Sequence, residues 1–560
     1  MTEPNSIRTS GELFFEAHRA LLESAAEASA TRAAWSGFEA IPVPSFTEAE
    51  SLVARHAGTV LDLSTPTDRV IRANEVSPYL LKPLDVTYAA PTSAAALAAA
   101  STAAPAMARA TPRERVGVCL ESLHRIHERG PELAAVTMHT TGQSLNMAAS
   151  GSGTNALDRG LEAVAAAWMA MSRVPNDVTW TQTFGRSTVT LRKRFRTRPV
   201  GTALVIACAS FPAWNAYPAI LANLATGNPV LVKPHPSSVL GTALAVQSIR
   251  QVLREAGLPA DAVQLVVDAP EELVAGEIAT DPGVRIVDFT GSQTFGGWLE
   301  RNLPGKLVYT ETSGLNTVII DSLHDVRSSM KSLATALSLF SGQMCTSPQN
   351  IYVPDRVSTD EGDISRAEVT EVLIAELDAI ARHPGRAASI CGAVQSAATV
   401  DAVRLRGDAA SGRVLRHASP YVHSHHPGAR TLTPLVIQGE PGSPDHCECE
   451  DFGPVAYVVP CTDTDEAVRS ATGSVRRNGA ISSYLFCTDE TRIDEIADAY
   501  AEVGASLSVN LVSSMPMQYA AAYSDYHVTG LNPAGTATLT DEAFVAGRFR
   551  IVQDRRQVGS

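Results

Sequence analysis

The hydrophobic period of this chain changes along its length, and each change marks a different kind of element. Over 8–35 and 111–175 apolar residues recur three and four positions apart, as in "RERVGVCLESLHRIHERGPELAAVTM", which predicts amphipathic helices. Between them "AAPTSAAALAAASTAAPAMARA" is rich in alanine, the best helix former, and reads as a surface helix and linker. From 177 the period becomes two: "DVTWTQTF" and "GRSTVTLRKRFRTRPVG" predict a β-hairpin with Gly185 at its turn. Strands ("GTALVIACA", "PVLVKP", "AVQLVVD", "VRIVDFTG") then alternate with helices ("AYPAILANLATG", "LGTALAVQSIRQVLREAG", "EELVAGEIATDP"). Such alternation signals βαβ units on a parallel sheet, so the expected class is α/β. A second α/β series runs from 315 to about 515, and no internal repeat is present.

Length and charge narrow the picture. A chain of 560 residues exceeds what one hydrophobic core organises, so two or three domains are expected. A net charge of −14 argues against a general nucleic-acid-binding surface. The one basic cluster, "LRKRFRTRP" at 191–199, alternates with apolar residues and reads as the solvated face of a strand. No run reaches the roughly 18 apolar residues of a membrane helix. The N-terminal stretch is amphipathic and carries acidic residues, unlike a signal or transit peptide, so a cytoplasmic location is expected. Eight cysteines are too sparse for a disulfide scaffold and are expected as thiols.

Three stretches carry candidate chemistry. In "FSGQMCTSPQNIYVP" Cys345 lies between a polar turn and an apolar strand; taken alone, it is either an inert core thiol or a nucleophile. In "VRIVDFTGSQTFGGWLERNL" a glycine and a hydroxyl follow a strand and open a helix, making Gly291 and Ser292 candidates for contact with a cofactor pyrophosphate, although the six-residue dinucleotide fingerprint is absent. "HSHH" at 423–426 and "HCEC" at 446–449 offer metal-type ligands without regular zinc spacing, in Pro/Gly-rich connections; they read as loop residues, and no metal is expected.

"LATGNPVLVKP", "FTGSQTFGG", "YTETSGLN", "SGQMC" and "EDFGPV" occur in the order and at about the distances seen in the aldehyde dehydrogenase superfamily, which the chain resembles over about 175–515. The resemblance implies an N-terminal helical part (1–176), an oligomerisation hairpin (177–199), a Rossmann-like NAD(P)-binding domain (200–310), a catalytic domain (311–515) and a C-terminal segment with an oligomerisation strand (516–560). It implies a homodimer or homotetramer. It makes Cys345 the nucleophile that forms a thiohemiacetal with the aldehyde, and Glu311 the base that activates water to hydrolyse the resulting thioester; a thiolate and a positioned carboxylate suit those steps. Lys233 resembles the residue at the adenosine ribose, and Glu450 and Phe452 the pair at the nicotinamide.

Two positions depart from the family pattern. Where most members carry an oxyanion-binding asparagine in Trp-Asn-Phe-Pro, counting from Lys233 and Gly201 reaches Ser210; the alternative is Asn215, five residues on, in "PAWN". Where NAD-preferring members place a glutamate three residues after the lysine, Pro236 stands; a 2′-phosphate then meets no repulsion and His235, Ser237 or Ser238 can help hold it, which favours NADP over NAD. The N-terminal helices, "FPAWNAYP", "VKPHPSSVLG" and "AAYSDYHVTGLNPAGTATLTDEAFVAGRFRIVQ" look like PaaN-type phenylacetic acid degradation proteins. That kinship implies oxidation of a CoA-linked semialdehyde of the 3-oxo-5,6-dehydrosuberyl-CoA type, without the ring-opening domain fused to it in bifunctional relatives. The runner-up substrates are dehydroadipyl-CoA semialdehyde and a free aromatic aldehyde. An alternative of another class is a nucleotide-binding scaffold with weak catalysis.

Overall fold

Two parallel sheets carry the molecule. The computed structural model describes residues 8–558 except 64, 66, 270, 271, 411, 441–446, 513–516, 518 and 519. The first sheet has five parallel strands in the order Leu307–Thr312, Val284–Gly291, Thr202–Ile206, Val230–Lys233 and Val263–Leu265. The three central strands are buried along nearly their whole length, as expected of a parallel sheet covered on both faces. Helices Pro212–Thr226 and Leu240–Glu255 make the crossovers from Thr202–Ile206 to Val230–Lys233 and on to the edge strand Val263–Leu265.

The second sheet has seven strands in the order Val414–Arg416, Leu435–Gln438, Val455–Cys461, Pro348–Pro354, Asn316–Ile320, Ser482–Phe486 and Ser506–Val509, all parallel but for the first pair. The predicted class is therefore the observed one. The alanine-rich stretch forms helix Ser93–Arg109, whose N-cap Thr92 accepts from Ala95 N–H and whose interior contains Pro105. The 111–175 periodicity resolves into helices Pro112–Glu128, Gly130–Thr141, Leu145–Ala149 and Asn155–Ser172.

The hairpin Asp177–Phe184 and Ser187–Pro199 turns at Gly185, where φ is +60°. It is joined within the same chain by the strand Phe549–Gln557, antiparallel to 187–199, and this three-stranded sheet is largely exposed. Among the described residues no disulfide forms, and no helix is long and apolar enough to cross a membrane.

Candidate active site

Cys345 stands at the mouth of a conformationally costly loop. After helix Val326–Ser338 the backbone passes through three consecutive left-handed residues, Phe340 (φ +51°), Ser341 (+50°) and Gly342 (+65°). Non-glycine residues adopt this region only when their surroundings enforce it. Here Phe340 is fully buried and Ser341 Oγ donates to the carbonyls of Cys391 (3.1 Å) and Leu432 (3.3 Å). Asn316, from the "ETSGLN" run, fixes the other side: its Nδ2 donates to the carbonyls of Cys345 (2.8 Å) and Ser347 (2.9 Å), and its Oδ1 accepts from Ile481 and Ser482 N–H. The sulfur is held where two sheets meet.

Glu311 comes from the edge strand of the five-stranded sheet and is 1% exposed. Its Oε2 accepts from Asn215 Nδ2 at 2.6 Å and from Thr290 Oγ1 at 3.4 Å; its Oε1 lies 2.7 Å from His527 Nε2. The same His527 nitrogen is 3.7 Å from Cys345 Sγ, and one ligand atom each of Glu311, Cys345 and His527 lie within 4.8 Å of one another. The cysteine and glutamate singled out from sequence are thus brought together. His527 was not singled out: its partners lie 216 and 182 positions away, and "SDYHVTG" carries no local signature of chemistry.

The segment bearing His527 is tied down by the N-terminal helices. Buried Arg159 pairs with Glu162 (2.8 Å) and donates to the carbonyls of Ala521 and Asp525, both at 3.1 Å; Arg32 donates to the carbonyl of Tyr523 and lies over the Tyr526 ring. Beyond His527 the chain runs along the Glu311 strand, where Thr312 N–H donates to Ala534 O at 2.7 Å.

Two cavities meet at the sulfur. One, of about 660 Å³, is lined by Lys233, His235, Pro236 and Asp268 at one end, by Gly291 and Ser292 beside the helix Gln293–Asn302, and by Ser210, Cys345, Glu450 and Phe452 at the other. The second, of about 320 Å³, is walled chiefly by Met147, Phe211, Trp214, Leu339, Met344 and His527, with Cys345 on its surface. Phe211, Asn215 and Cys345 line both.

The larger cavity suits a dinucleotide. A half-exposed Phe452 ring, a cationic Lys233 at the far end, and Gly291, where a Cβ would stand 2.7 Å from Phe289 Cζ, give it an aromatic plate, a charge and a close-approach turn. Lys233 Nζ is paired with Asp268 Oδ1 at 2.8 Å. Ser238 is buried away from the cavity lining, and Ser237 Oγ accepts from Gln395, so of the three residues expected to help hold a 2′-phosphate it is His235 that faces the space. Glu450 accepts from Ser313 Oγ at 2.6 Å; burial, the largest influence, pushes its carboxyl up to about 7, with Asp451 adding to the rise and the Ser313 bond opposing it.

Desolvation of the sulfur, then the carboxylate of Glu311, the thiol of Cys208 and the carboxylate of Glu450, push the Cys345 thiol well above its ordinary value; its own backbone N–H acts in the other direction. Ser210 and Asn215 differ in place. Ser210 faces the larger cavity and its carbonyl accepts from Gln143 Nε2, whereas Asn215, in the first turn of helix Pro212–Thr226, stands at the junction with its amide turned to Glu311. Both residues weighed from the sequence thus line the larger cavity, and one helical turn brings the side chain of Asn215 to Glu311. His423, His425 and His426 pack around the Phe46 ring, and His426 Nε2 meets Glu50 at 3.0 Å; His446 lies outside the described residues.

Comparison with known proteins agrees with this geometry. The aldehyde dehydrogenase family model matches residues 78–521. An N-succinylglutamate 5-semialdehyde dehydrogenase of Chromobacterium violaceum is 30% identical over 67% of this chain and 73% of its own length. The same enzyme of Pseudomonas fluorescens is 27% identical over 49% of this chain, a match spanning 54% of that relative's length. The crystal structure of an NAD-dependent aldehyde dehydrogenase from Burkholderia multivorans superposes with a TM-score of 0.94 at 37% identity, covering 98% of this chain and 99% of that one. With the family model spanning most of the chain and the cysteine loop set between a dinucleotide-sized cavity and an apolar one, this protein is a member of the aldehyde dehydrogenase family.

Proposed function

We propose that the chain oxidises a CoA-linked semialdehyde, of the 3-oxo-5,6-dehydrosuberyl-CoA type met in phenylacetate degradation, to its carboxylic acid. The observation that carries this reading is the junction: Cys345 is presented at once to the dinucleotide-sized cavity and to an apolar cavity. Among the described residues lining the apolar cavity there is no Lys or Arg to hold a free carboxylate. A third cavity of about 310 Å³ shares Ser144, Asn146 and Ser389 with it and continues past Phe46 and His425. A neutral chain ending in an aldehyde, whose charges stay outside, fits such a path better than a compact diacid does.

In this reading Cys345 attacks the aldehyde carbon, and Asn215 Nδ2 and the Cys345 N–H donate to the oxyanion in the water-poor site. Glu450, Phe452, Lys233, Gly291 and Ser292 hold the dinucleotide, which when bound accepts the hydride. Glu311 then takes a proton from the water that hydrolyses the thioester. Pro236 removes the usual carboxylate at the adenosine ribose, and on that ground NADP is favoured by the sequence. Asp268 brings a carboxylate to the same end from the segment after strand Val263–Leu265, and we therefore read the site as preferring NAD. The exposed three-stranded sheet is our candidate for the subunit contact.

The test is steady-state oxidation of a panel of free and CoA-linked aldehydes with NAD and NADP. The expected outcome is a kcat/KM about tenfold or more higher for the CoA-linked C8 semialdehyde than for free aromatic or free-acid semialdehydes, the scale of one lost substrate contact set. Equal or better use of N-succinylglutamate semialdehyde would exclude the CoA reading.

A further inference from the structure

The imidazole of His527 occupies a position that the Cys345–Glu311 chemistry alone does not call for. It is 4% exposed, its Nε2 faces both the thiol sulfur (3.7 Å) and the carboxylate (2.7 Å), and its ring lies against Trp214 with centroids 4.4 Å apart. Its other nitrogen, Nδ1, is buried without a partner, so the ring is not held there by hydrogen bonds at both ends, as a purely structural buried histidine would be. Among the described residues lining the two cavities His527 is included and Glu311 is not. The imidazole stands between the carboxylate and the reacting sulfur.

We propose that His527 is a catalytic residue that takes the thiol proton of Cys345 onto Nε2 and holds it against Glu311, making a Cys–His–Glu relay. The proposal rests on Cys345 being the nucleophile. The neutral ring carries its own proton on Nδ1, and the in-plane lone pair of Nε2 accepts the thiol proton from Sγ, 3.7 Å away. The imidazolium then donates Nε2–H to the carboxylate, the 2.7 Å contact that requires one proton between the two atoms. Thiol, neutral imidazole and carboxylate become thiolate, imidazolium and carboxylate; no electrons are gained or lost. When the thioester is hydrolysed the released thiolate takes this proton back, and the proton that Glu311 takes from water leaves for solvent.

The surroundings explain why a relay is needed. The groups facing the sulfur and imidazole are Glu311 from the edge strand, Cys208 after the strand Thr202–Ile206, Glu450 from the loop before Val455, and Trp214 with Asn215 from helix Pro212–Thr226; the Arg159 guanidinium lies over the Trp214 ring, 5.0 Å from its centroid. The anionic groups oppose ionisation of the thiol. Holding the proton on the imidazole sets a positive charge beside the nascent thiolate.

The experiment measures alkylation of Cys345 by iodoacetamide against pH, read on the Cys345 peptide by mass spectrometry. It compares the wild-type chain with His527→Gln, whose amide donates to Glu311 but accepts no proton, and with His527→Ala, without and with added imidazole. Both variants are expected to slow alkylation near neutral pH by about tenfold or more and move its midpoint upward, with kcat/KM falling in parallel and imidazole restoring the rate in His527→Ala. A wild-type alkylation profile in either variant that keeps its thermal midpoint, or failure of imidazole to restore the rate in a folded His527→Ala, overturns the relay. Aldehyde oxidation surviving in Cys345→Ala would instead overturn the nucleophile assignment, whatever the histidine does.

Discussion

At the residue scale the site is a contest over protons and oxyanion donors. An asparagine amide has two N–H groups; one of Asn215's is given to Glu311, which in the reading proposed above leaves the other for the alkoxide. Asn215→Ala is expected to lower kcat by about 100-fold, the usual cost of one oxyanion donor, while Ser210→Ala stays near wild type; the two rates measured side by side decide between the residues. Glu450 gives a pH dependence of its own. Its carboxyl titrates at about 7 in the fold against an ordinary value of 4.5, so between these values the folded state holds a proton that the unfolded state has lost. Its burial therefore costs stability progressively as pH rises from about 4.5 to about 7, and no further above that. Only the ionised form accepts two ribose hydroxyls, so the KM for the dinucleotide is expected to fall as pH rises through about 7. Glu450→Gln should flatten that profile, which initial rates at several pH values will show.

At the scale of elements, the loop before Cys345 is held by close backbone approaches. Gly342 has φ +65°, and a Cβ there would lie 2.3 Å from the Gly453 carbonyl, in the turn that follows Phe452. Gly342→Ala is expected to cost about 1–3 kcal/mol in urea unfolding and to reduce turnover, because the strain is relieved only by moving either the cysteine loop or the turn after Phe452. The same logic holds at Gly314, whose Cβ would meet the Gly479 carbonyl at 2.4 Å and push Asn316 away from the backbone that it anchors.

At the scale of the molecule, the C-terminal segment closes the cofactor sheet as well as delivering His527. Arg548, fully buried, donates Nη1 to Asp288 Oδ2 at 2.8 Å and Nη2 to Asp288 Oδ1 at 2.6 Å, its guanidinium packed on the Tyr309 and Phe544 rings. Asp288 lies on the strand Val284–Gly291, and Asn223 donates to it at 2.9 Å. Removing the cation leaves a buried carboxylate uncompensated, so Arg548→Met is expected to destabilise by about 3–5 kcal/mol. The double change with Asp288→Asn should recover part of the loss in the same unfolding measurement.

The sequence by itself determined what local physics encodes. Period three to four gave the helices, period two the hairpin and short apolar runs the parallel strands, since side-chain spacing follows directly from which face an element buries. The motif runs singled out Cys345, Glu311, Lys233, Gly291, Glu450 and Phe452 as candidates, because each lies in a strand end or turn of recognisable composition, and all but Glu311 line the larger cavity. What only the tertiary structure decided were the contacts between distant segments: His527 against Glu311 and Cys345, Asp268 beside Lys233, Asn215 turned inward by one helical turn, and the arginines that bind the C-terminal segment to the N-terminal helices. Side chains that meet across tens to hundreds of positions leave no periodic trace in the chain; their chemistry exists only once the two sheets and the C-terminal segment have packed together.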